Sequence, residues 1–363
     1  MRGFVQSNTA PVTHVGVVGL KRGMVLARWC ERLGLRIGAL CDHDPDLLTA
    51  AAREFPGAAR LTKWEEMLDR GLDGVVLAND FDQHAALAIA FLDRGVHVLS
   101  ETAACVDEAE GQALIAADKR STATYSFAEN YVAHPHVRLI KQIVAADEIG
   151  AVELIECDYL HGLAPADVAA LTGDPRHWRG RISPTAYCTH TVSPVLDVTQ
   201  AWPTEVTALP VQSEDRPMAT VLAFRLSSGA LALTRQTFLQ GEPDSHSSWL
   251  SVRGTRGLAE SLRMPGEAAW SVRWRSEPWA NDGHLRDETI VPPPLTLTGD
   301  STVPRGQEGS ALIVAAFRDT VTASVPPRVP VRPAVAASLV GVYGARSLAE
   351  GSRPVALPDV SAW

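Results

Sequence analysis

The sequence predicts an α/β chain in two parts: an N-terminal doubly wound parallel sheet, then an α+β domain with an open, mainly antiparallel sheet. Three observations carry this. From Val15 to Phe127 short β-branched runs alternate with segments of helical period, the arrangement that builds βαβ units. Beyond about Gly150 the pattern changes to alternating strands joined by tight turns, as in a sheet with one open face. At 363 residues the chain exceeds what one core comfortably holds, so two domains are expected, residues 1–130 and 131–363.

The expected strands of the first sheet are His14–Val18, Arg36–Cys41, Gly74–Leu77, Val96–Leu99 and Thr122–Phe127. Between them "MVLARWCERL", "DLLTAAAREF", "DQHAALAIAFLDRG" and "DEAEGQALIAADKR" repeat their apolar residues at helical spacing. In the second half "GAVELIECDYLHG" alternates as a strand. "TVLAFRLSSGALALTRQTF" reads as a hairpin turning at Ser227, Ser228 and Gly229, and "SWLSVRGTRGLAESL" adds further strand. "TIVPPPLTLTGDSTVP" reads as a Pro/Thr-rich loop. Glu308–Thr322 and Ala334–Leu348 read as two closing helices that pack back toward the first domain.

Composition narrows the function classes. Charged residues are 21%, hydrophobic residues 46% and the net charge is −9, with no basic run interleaved with aromatics, which argues against a nucleic-acid partner. Five scattered cysteines without paired or metal-ligand spacing favour free thiols in a reducing compartment, hence a cytoplasmic protein. The N-terminal "MRGFVQSNTAPVTH" lacks the apolar core of a secretion signal. No apolar run is long enough to cross a bilayer, so no membrane partner is expected.

"HVGVVGLKRGMVLARWC" has the strand, glycine turn and helix that a dinucleotide fingerprint requires, although the second glycine slot holds Leu20 or Lys21. Asp42 ends the second strand 19 residues after Gly23, where a carboxylate accepts ribose hydroxyls and repels a 2′-phosphate. A Rossmann sheet binding NAD rather than NADP follows, with Gly19, Leu20, Lys21, Arg22 and Gly23 around the pyrophosphate. Asn79, His84, Glu101 and Asn130 stand at or just beyond later strand ends and are the other expected cofactor contacts. His134 and His136 flank Pro135 and read as helix-entry residues; no His/Asp/Glu group shows metal-ligand spacing.

These marks, with "LCDHDPD", "WEEMLDRGLDGVVLAND", "HAALAIAFLDRGVHVLSE" and "ARSLAEGSRPVALPD", resemble the glucose-fructose oxidoreductase/inositol dehydrogenase (Gfo/Idh/MocA) family from His14 to about Val360. In that family the strand ending here at Glu101 continues Glu-Lys-Pro, and the lysine helps move the proton of the substrate hydroxyl. This chain has Thr102-Ala103 there. A threonine hydroxyl cannot act as such a base. None of the four lysines is an obvious replacement: Lys63 and Lys119 fall in helical patterns, Lys21 lies by the phosphates, and Lys141 reads as facing solvent or a subunit contact.

Three other motifs resemble one branch of the family, the NAD-dependent glycoside hydrolases. "FAENY" holds Glu129, "CDYLHG" holds Tyr159 and His161 on one strand face, and "AYCTHTVSP" holds Tyr187 and His190 on one side of a helical turn. The resemblance implies that these five residues line a sugar site. It also implies tightly bound, recycled NAD and a redox-neutral hydrolysis: oxidation at C3, elimination across C1 and C2, addition of water, and re-reduction. In that scheme His190 and Tyr187 serve the 3-hydroxyl, Tyr159 the C2 proton, and His161 and Glu129 orient or protonate. Tyrosine suits such work if a cationic neighbour, the nicotinamide or a histidine, lowers its pKa from about 10. "GDPRHWRGRISP" places Arg176, Trp178 and Arg179 before the Tyr187 motif, a stacking face and forks for an anionic sugar such as a sulfoquinovoside. The expected partner is a small-molecule glycoside and the expected assembly a homo-oligomer, dimer or tetramer. A conventional sugar or cyclitol dehydrogenase and a catalytically silent NAD-binding protein are the competing readings.

Overall fold

The computed structural model describes residues 12–211, 219–238, 241–299 and 301–363. Its first sheet contains β1 (His14–Val18), β2 (Arg36–Cys41), β3 (Ala59–Leu61), β4 (Gly74–Leu77), β5 (His97–Ser100) and β6 (Tyr125–Phe127). All pair in parallel, in the order β3-β2-β1-β4-β5-β6. Helices α1 (Gly23–Arg32), α2 (Pro45–Glu54), α3 (His84–Leu92) and α4 (Glu108–Arg120) complete the βαβ layers. Val15, Val17, Val75, Val76, Val98 and Leu99 are free of solvent, as strands covered on both faces require. The strand order reverses between β1 and β4, which opens a crevice at the carboxyl ends of these strands.

Two strand boundaries differ from expectation, each because a local partner takes an amide. Val96 N–H donates to Phe91 O at 3.0 Å, closing the end of α3, so β5 begins one residue later. Tyr125 N–H donates to the Asp118 carboxylate at 2.7 Å and Ser121 Oγ to Leu92 O, which holds residues 121–124 in a turn and shortens β6.

The second half contains α5 (Pro135–Ala145), β7 (Val152–Leu160), α6 (Pro165–Thr172), α7 (Thr189–Thr199), β8 (Pro203–Pro210), β9 (Ala219–Leu226) and β10 (Leu231–Thr237). Then follow β11 (Leu250–Gly254), β12 (Gly257–Leu262), β13 (Ser271–Ser276), β14 (Arg286–Ile290), β15 (Thr296–Thr298) and β16 (Ser301–Thr302). Helices α8 (Glu308–Ala323) and α9 (Val331–Ala349) and the short β17 (Val355–Ala356) end the chain. Nine strands form one sheet, β14-β13-β12-β11-β7-β10-β9-β8-β17, antiparallel throughout except for the parallel pair β7 and β10. The β9–β10 hairpin turns at Ser227–Gly229 as expected, with Gly229 at φ +90°.

The Pro/Thr-rich segment is not all loop. Thr289 and Ile290 belong to β14, and β15 pairs with β16 once the three prolines are passed. The second closing helix starts at Val331 rather than Ala334, because Pro333 falls in its first turn, where a missing N–H costs no helical bond. Pro194 within α7 disguises that helix in the sequence. α7 packs on β7 and β10, α8 on α1, and α9 on β8, α4 and α7. The loops after β4, β5 and β6 therefore face the end of β7 and the start of α7.

Candidate active site at the strand ends

Glu129 follows β6 and caps the 3-10 turn Asn130–Ala133 by accepting Tyr131 N–H at 3.2 Å. Its carboxylate is 1% exposed and meets His190 Nδ1 at 2.9 and 3.0 Å. That contact orients the imidazole and leaves Nε2 on the far side of the ring. Around His190 stand Tyr131, stacked with centroids 4.6 Å apart, Tyr159, tilted at 4.6 Å, and Tyr187 at 6.1 Å. His161 meets the Tyr159 ring edge-on at 4.5 Å, as two residues on one strand face should. Phe238, just past β10, packs against Tyr159, His161 and Tyr187. Glu129, Tyr159, His161, Tyr187 and His190 are thus brought together.

The electrostatics differ from expectation in one respect. Burial pushes the Tyr159 hydroxyl well above its ordinary value, and neighbouring Tyr131 and Tyr187 add to this. Burial also raises Tyr187, while the Arg179 guanidinium pulls it back. The cation beside a phenol is therefore an arginine rather than a histidine; burial holds the His161 imidazole below its usual range, favouring its neutral form.

Thr102 stands where the resemblance places a lysine. Its hydroxyl shares a hydrogen bond of 2.6 Å with Thr189 Oγ1 at the start of α7, and the Thr102–Ala103 peptide is cis. Lys141, expected at a solvent or subunit face, instead donates to Asp197 Oδ1 at 2.6 Å between α5 and α7. The helical stem of α5 carries it to the α7 carboxylate, not to the strand ends.

At the opposite side of the crevice Gly19 adopts φ +85°, and a Cβ there would stand 2.4 Å from Ala78 O. Only glycine lets these loops approach so closely. Asp42, 8% exposed, accepts Leu20 N–H at 2.7 Å and Asp44 N–H at 3.0 Å, closing the glycine turn from β2. The α1 N-terminus has no side-chain cap, Lys21 is exposed beside it, and Gly23 fits against Val17. Asn79 Oδ1 and His84 Nε2 are buried without a hydrogen-bond partner among the described residues. His84 Nδ1 meets Ala103 O at 3.2 Å, and burial keeps the ring below its ordinary pKa. Asn130 opens the 3-10 turn beside Glu129. A tight glycine cradle, a buried carboxylate and two unpartnered polar atoms fit a dinucleotide.

Arg22, expected beside a pyrophosphate, reaches the other way: its Nε donates to Glu101 at 2.7 Å and its Nη2 to Ser310 Oγ at 3.1 Å. Arg22 and Glu101 form an ion pair joining α1, the end of β5 and α8, which neutralises the carboxylate at the crevice.

Of the three expected substrate residues the structure gathers two. The Arg179 guanidinium lies 4.2 Å from the Trp178 ring centroid and its Nε donates to Tyr187 Oη at 3.1 Å. Trp178 stacks on Phe81 at 5.4 Å, and Arg181 donates to Asp82 at 2.7 Å, so residues 178–181 strap onto the loop after β4. Arg176 turns outward to Asp174, its side chain 90% exposed. Among the described residues no three His, Cys, Asp or Glu side chains gather to hold a metal, and no helix is long and apolar enough to cross a membrane.

Residues 13–140, which carry the glycine cradle and Glu129, match the model of the Gfo/Idh/MocA oxidoreductase family, NAD-binding Rossmann fold. Over these residues the chain is similar to that family. A glycosyl hydrolase family 109 protein of Stenotrophomonas maltophilia is 28% identical over 167 residues, 42% of this chain and 36% of that relative. A levoglucosan dehydrogenase of Pseudarthrobacter phenanthrenivorans is 27% identical over 141 residues, 39% of this chain and 35% of that relative. The matched stretch is thus little more than a third of either relative's length. A solved levoglucosan dehydrogenase in complex with NADH and levoglucosan has the same fold, with a TM-score of 0.81 at 16% identity over 96% of this chain and 100% of that one.

The sequence alone does not single out Tyr131, Phe81, Asp82, Thr189, Phe238 and Ser310, which the structure brings to the site or its supports. Tyr131 lies inside "FAENY" and Phe81 two residues after Asn79, so both stand beside residues the sequence does single out. Phe238 and Ser310 arrive through non-local pairing and helix packing, for which the chain holds no local signal.

Proposed function

We propose that the protein is an NAD-dependent, redox-neutral glycoside hydrolase. The observation that carries this reading is one cluster of the His190–Glu129 pair, Tyr159, Tyr187 and His161 beside Thr102, whose hydroxyl is committed to Thr189. NAD, held by Gly19, Leu20, Lys21, Gly23, Asp42, Asn79, His84 and Asn130, supplies a reversible two-electron oxidation at a sugar carbon. His190, its Nδ1 fixed by Glu129, takes the proton of the 3-hydroxyl at Nε2 and later returns it. The C2 proton made acidic by the neighbouring ketone is taken by the Tyr159–His161 pair, with the neutral His161 imidazole as acceptor and the Tyr159 phenol as its partner. Tyr187 gives a proton to the departing C1 oxygen and recovers one from the water that adds. Trp178, expected as a stacking face, is already covered by Phe81 and Arg179 and instead supports the Arg179 guanidinium. Arg179 has no carboxylate partner among the described residues, which supports an anionic sugar, such as a sulfoquinovoside, as substrate.

The test is a panel of neutral and anionic aryl glycosides incubated with the protein in D₂O, with NMR of the released sugar. Deuterium at C2 is the expected result. Hydrolysis without it sinks the mechanism. A second reading, a conventional sugar dehydrogenase, is favoured by the same His190–Glu129 pair, which is a complete base for a polyol hydroxyl, and by the levoglucosan dehydrogenase relative. It predicts stoichiometric, lasting reduction of added NAD and no glycoside cleavage.

A further inference from the structure

Arg22 at the start of α1 and the arginines flanking Arg179 each face a carboxylate. Arg22 is paired with Glu101, Arg176 with Asp174 and Arg181 with Asp82. Arg179 has none among the described residues. Its Nε–H donates to the Tyr187 hydroxyl at 3.1 Å, and its Cζ lies over the Trp178 ring, 4.2 Å from the centroid. Trp178 is in turn stacked on Phe81, and the next turn of chain is tied to Asp82 through Arg181. The cation is therefore held against one phenol rather than left to sweep through solvent.

Tyr187 is 8% exposed, so its environment is made by protein. Tyr159 faces it from β7 with rings nearly parallel at 6.4 Å, His190 from α7 at 6.1 Å, Phe81 from the loop after β4, and Phe238 from beyond β10. Glu101 acts on it from the end of β5, but that carboxylate is already paired with Arg22. Arg179 is the one permanent cation in hydrogen-bond contact with Tyr187. Tyr159, its neighbour, has no such donor on its hydroxyl among the described residues.

We propose that Arg179 is a positioning residue that makes Tyr187, rather than Tyr159, the proton-donating hydroxyl of this site. A charged donor occupies a lone pair of the phenol oxygen, so the phenol's own hydrogen is left for another acceptor. When the Tyr187 O–H bond breaks, an O–H bond forms on the departing glycosidic oxygen, and the phenolate stays beside the guanidinium. The proton lost by the attacking water then restores the phenol, and Arg179 keeps its charge throughout. Burial and, to a lesser degree, the Glu101 carboxylate raise Tyr187, and Arg179 is the largest opposing influence on it. The identity of the acceptor rests on the glycosidase reading; the preference between the two phenols rests on geometry.

Full-length protein labelled with 3-fluorotyrosine, whose acidified phenols titrate where the fold persists, gives the direct test by ¹⁹F NMR without substrate. Tyr187→Phe and Tyr159→Phe assign the two resonances. Tyr187 is expected to titrate at lower pH than Tyr159. Arg179→Met is expected to raise the Tyr187 midpoint by about one pH unit or more, a tenfold change in proton affinity, and Arg179→Lys to recover part of it. An unchanged midpoint in Arg179→Met overturns the inference. With a neutral aryl glycoside, Arg179→Met is expected to lower kcat at least about tenfold with little change in KM. A rise in KM confined to anionic glycosides, with kcat unmoved, also overturns it and leaves Arg179 as a substrate contact alone. Should no glycoside be cleaved, the glycosidase reading falls while the titration still decides the role of Arg179.

Discussion

At the scale of single residues, the fixed point of the site is the Glu129 carboxylate, sealed from water and held against His190. A buried carboxylate that orients an imidazole acts by sustaining its tautomer and by stabilising the imidazolium when it forms. Glu129→Gln preserves shape but loses the charge, so kcat on a cleaved glycoside is expected to fall roughly 10²-fold or more, with far less change in thermal midpoint. A fall in both by similar degrees would assign Glu129 to the core instead. Thr102→Lys tests the other side of the cluster. It breaks the 2.6 Å bond to Thr189 and brings an amine to the end of β5. The expected outcome is loss of glycosidase activity without gain of net sugar oxidation. Emergence of vigorous dehydrogenase activity would favour the conventional reading.

At the scale of elements, the segment from Trp178 to Arg181 is held by two contacts of unequal weight. The Arg181–Asp82 pair is partly exposed, and such pairs contribute about 0–1 kcal/mol. The Trp178–Phe81 stack adds roughly 0.5–1.5 kcal/mol beyond its buried area. Trp178→Ala is therefore expected to speed protease cleavage between residues 162 and 184 several-fold, and Arg181→Ala only slightly; equal effects would contradict this ranking. These elements also mark how far the sequence reading reached. Five strands of the first sheet were legible because β-branched residues buried on both faces announce strands, whereas the three-residue edge strand β3 is too short to show a pattern; Tyr187 and His190 share a side because helical spacing is local. The strap's anchorage was not legible, since Phe81 and Trp178 lie far apart along the chain. Nor was the direction of Arg22, whose position at the start of α1 is equally compatible with a phosphate or with Glu101.

At the scale of the whole molecule, buried histidines couple stability to pH. His84, His134 and His136 all lie below the ordinary imidazole value because burial penalises their charge, His134 down to about 4. The unfolded chain takes up these protons near pH 6.5 and the folded chain does not. Unfolded protein thus binds more protons in that window, and stability falls as pH drops from 6.5 toward 4. Asp118 and Asp158, raised by burial, work in the opposite sense, so the test is a difference between variants. The gap in unfolding free energy, measured by urea titration, between wild type and His134→Asn is expected to narrow by about 2 kcal/mol between pH 7.5 and pH 4.5; a constant gap would deny His134 this role. The parallel pairing of β7 with β10 has a kinetic consequence. Arg235 lies opposite Asp158, 77 residues away in sequence. Registering such distant strands closes a long stretch of chain before its contacts compensate the lost entropy, which slows their union relative to the β9–β10 hairpin. Tyr159 and Phe238 stand at the far end of that junction, so during refolding the aromatic wall of the site forms late, and catalytic competence trails the recovery of helix and hairpin.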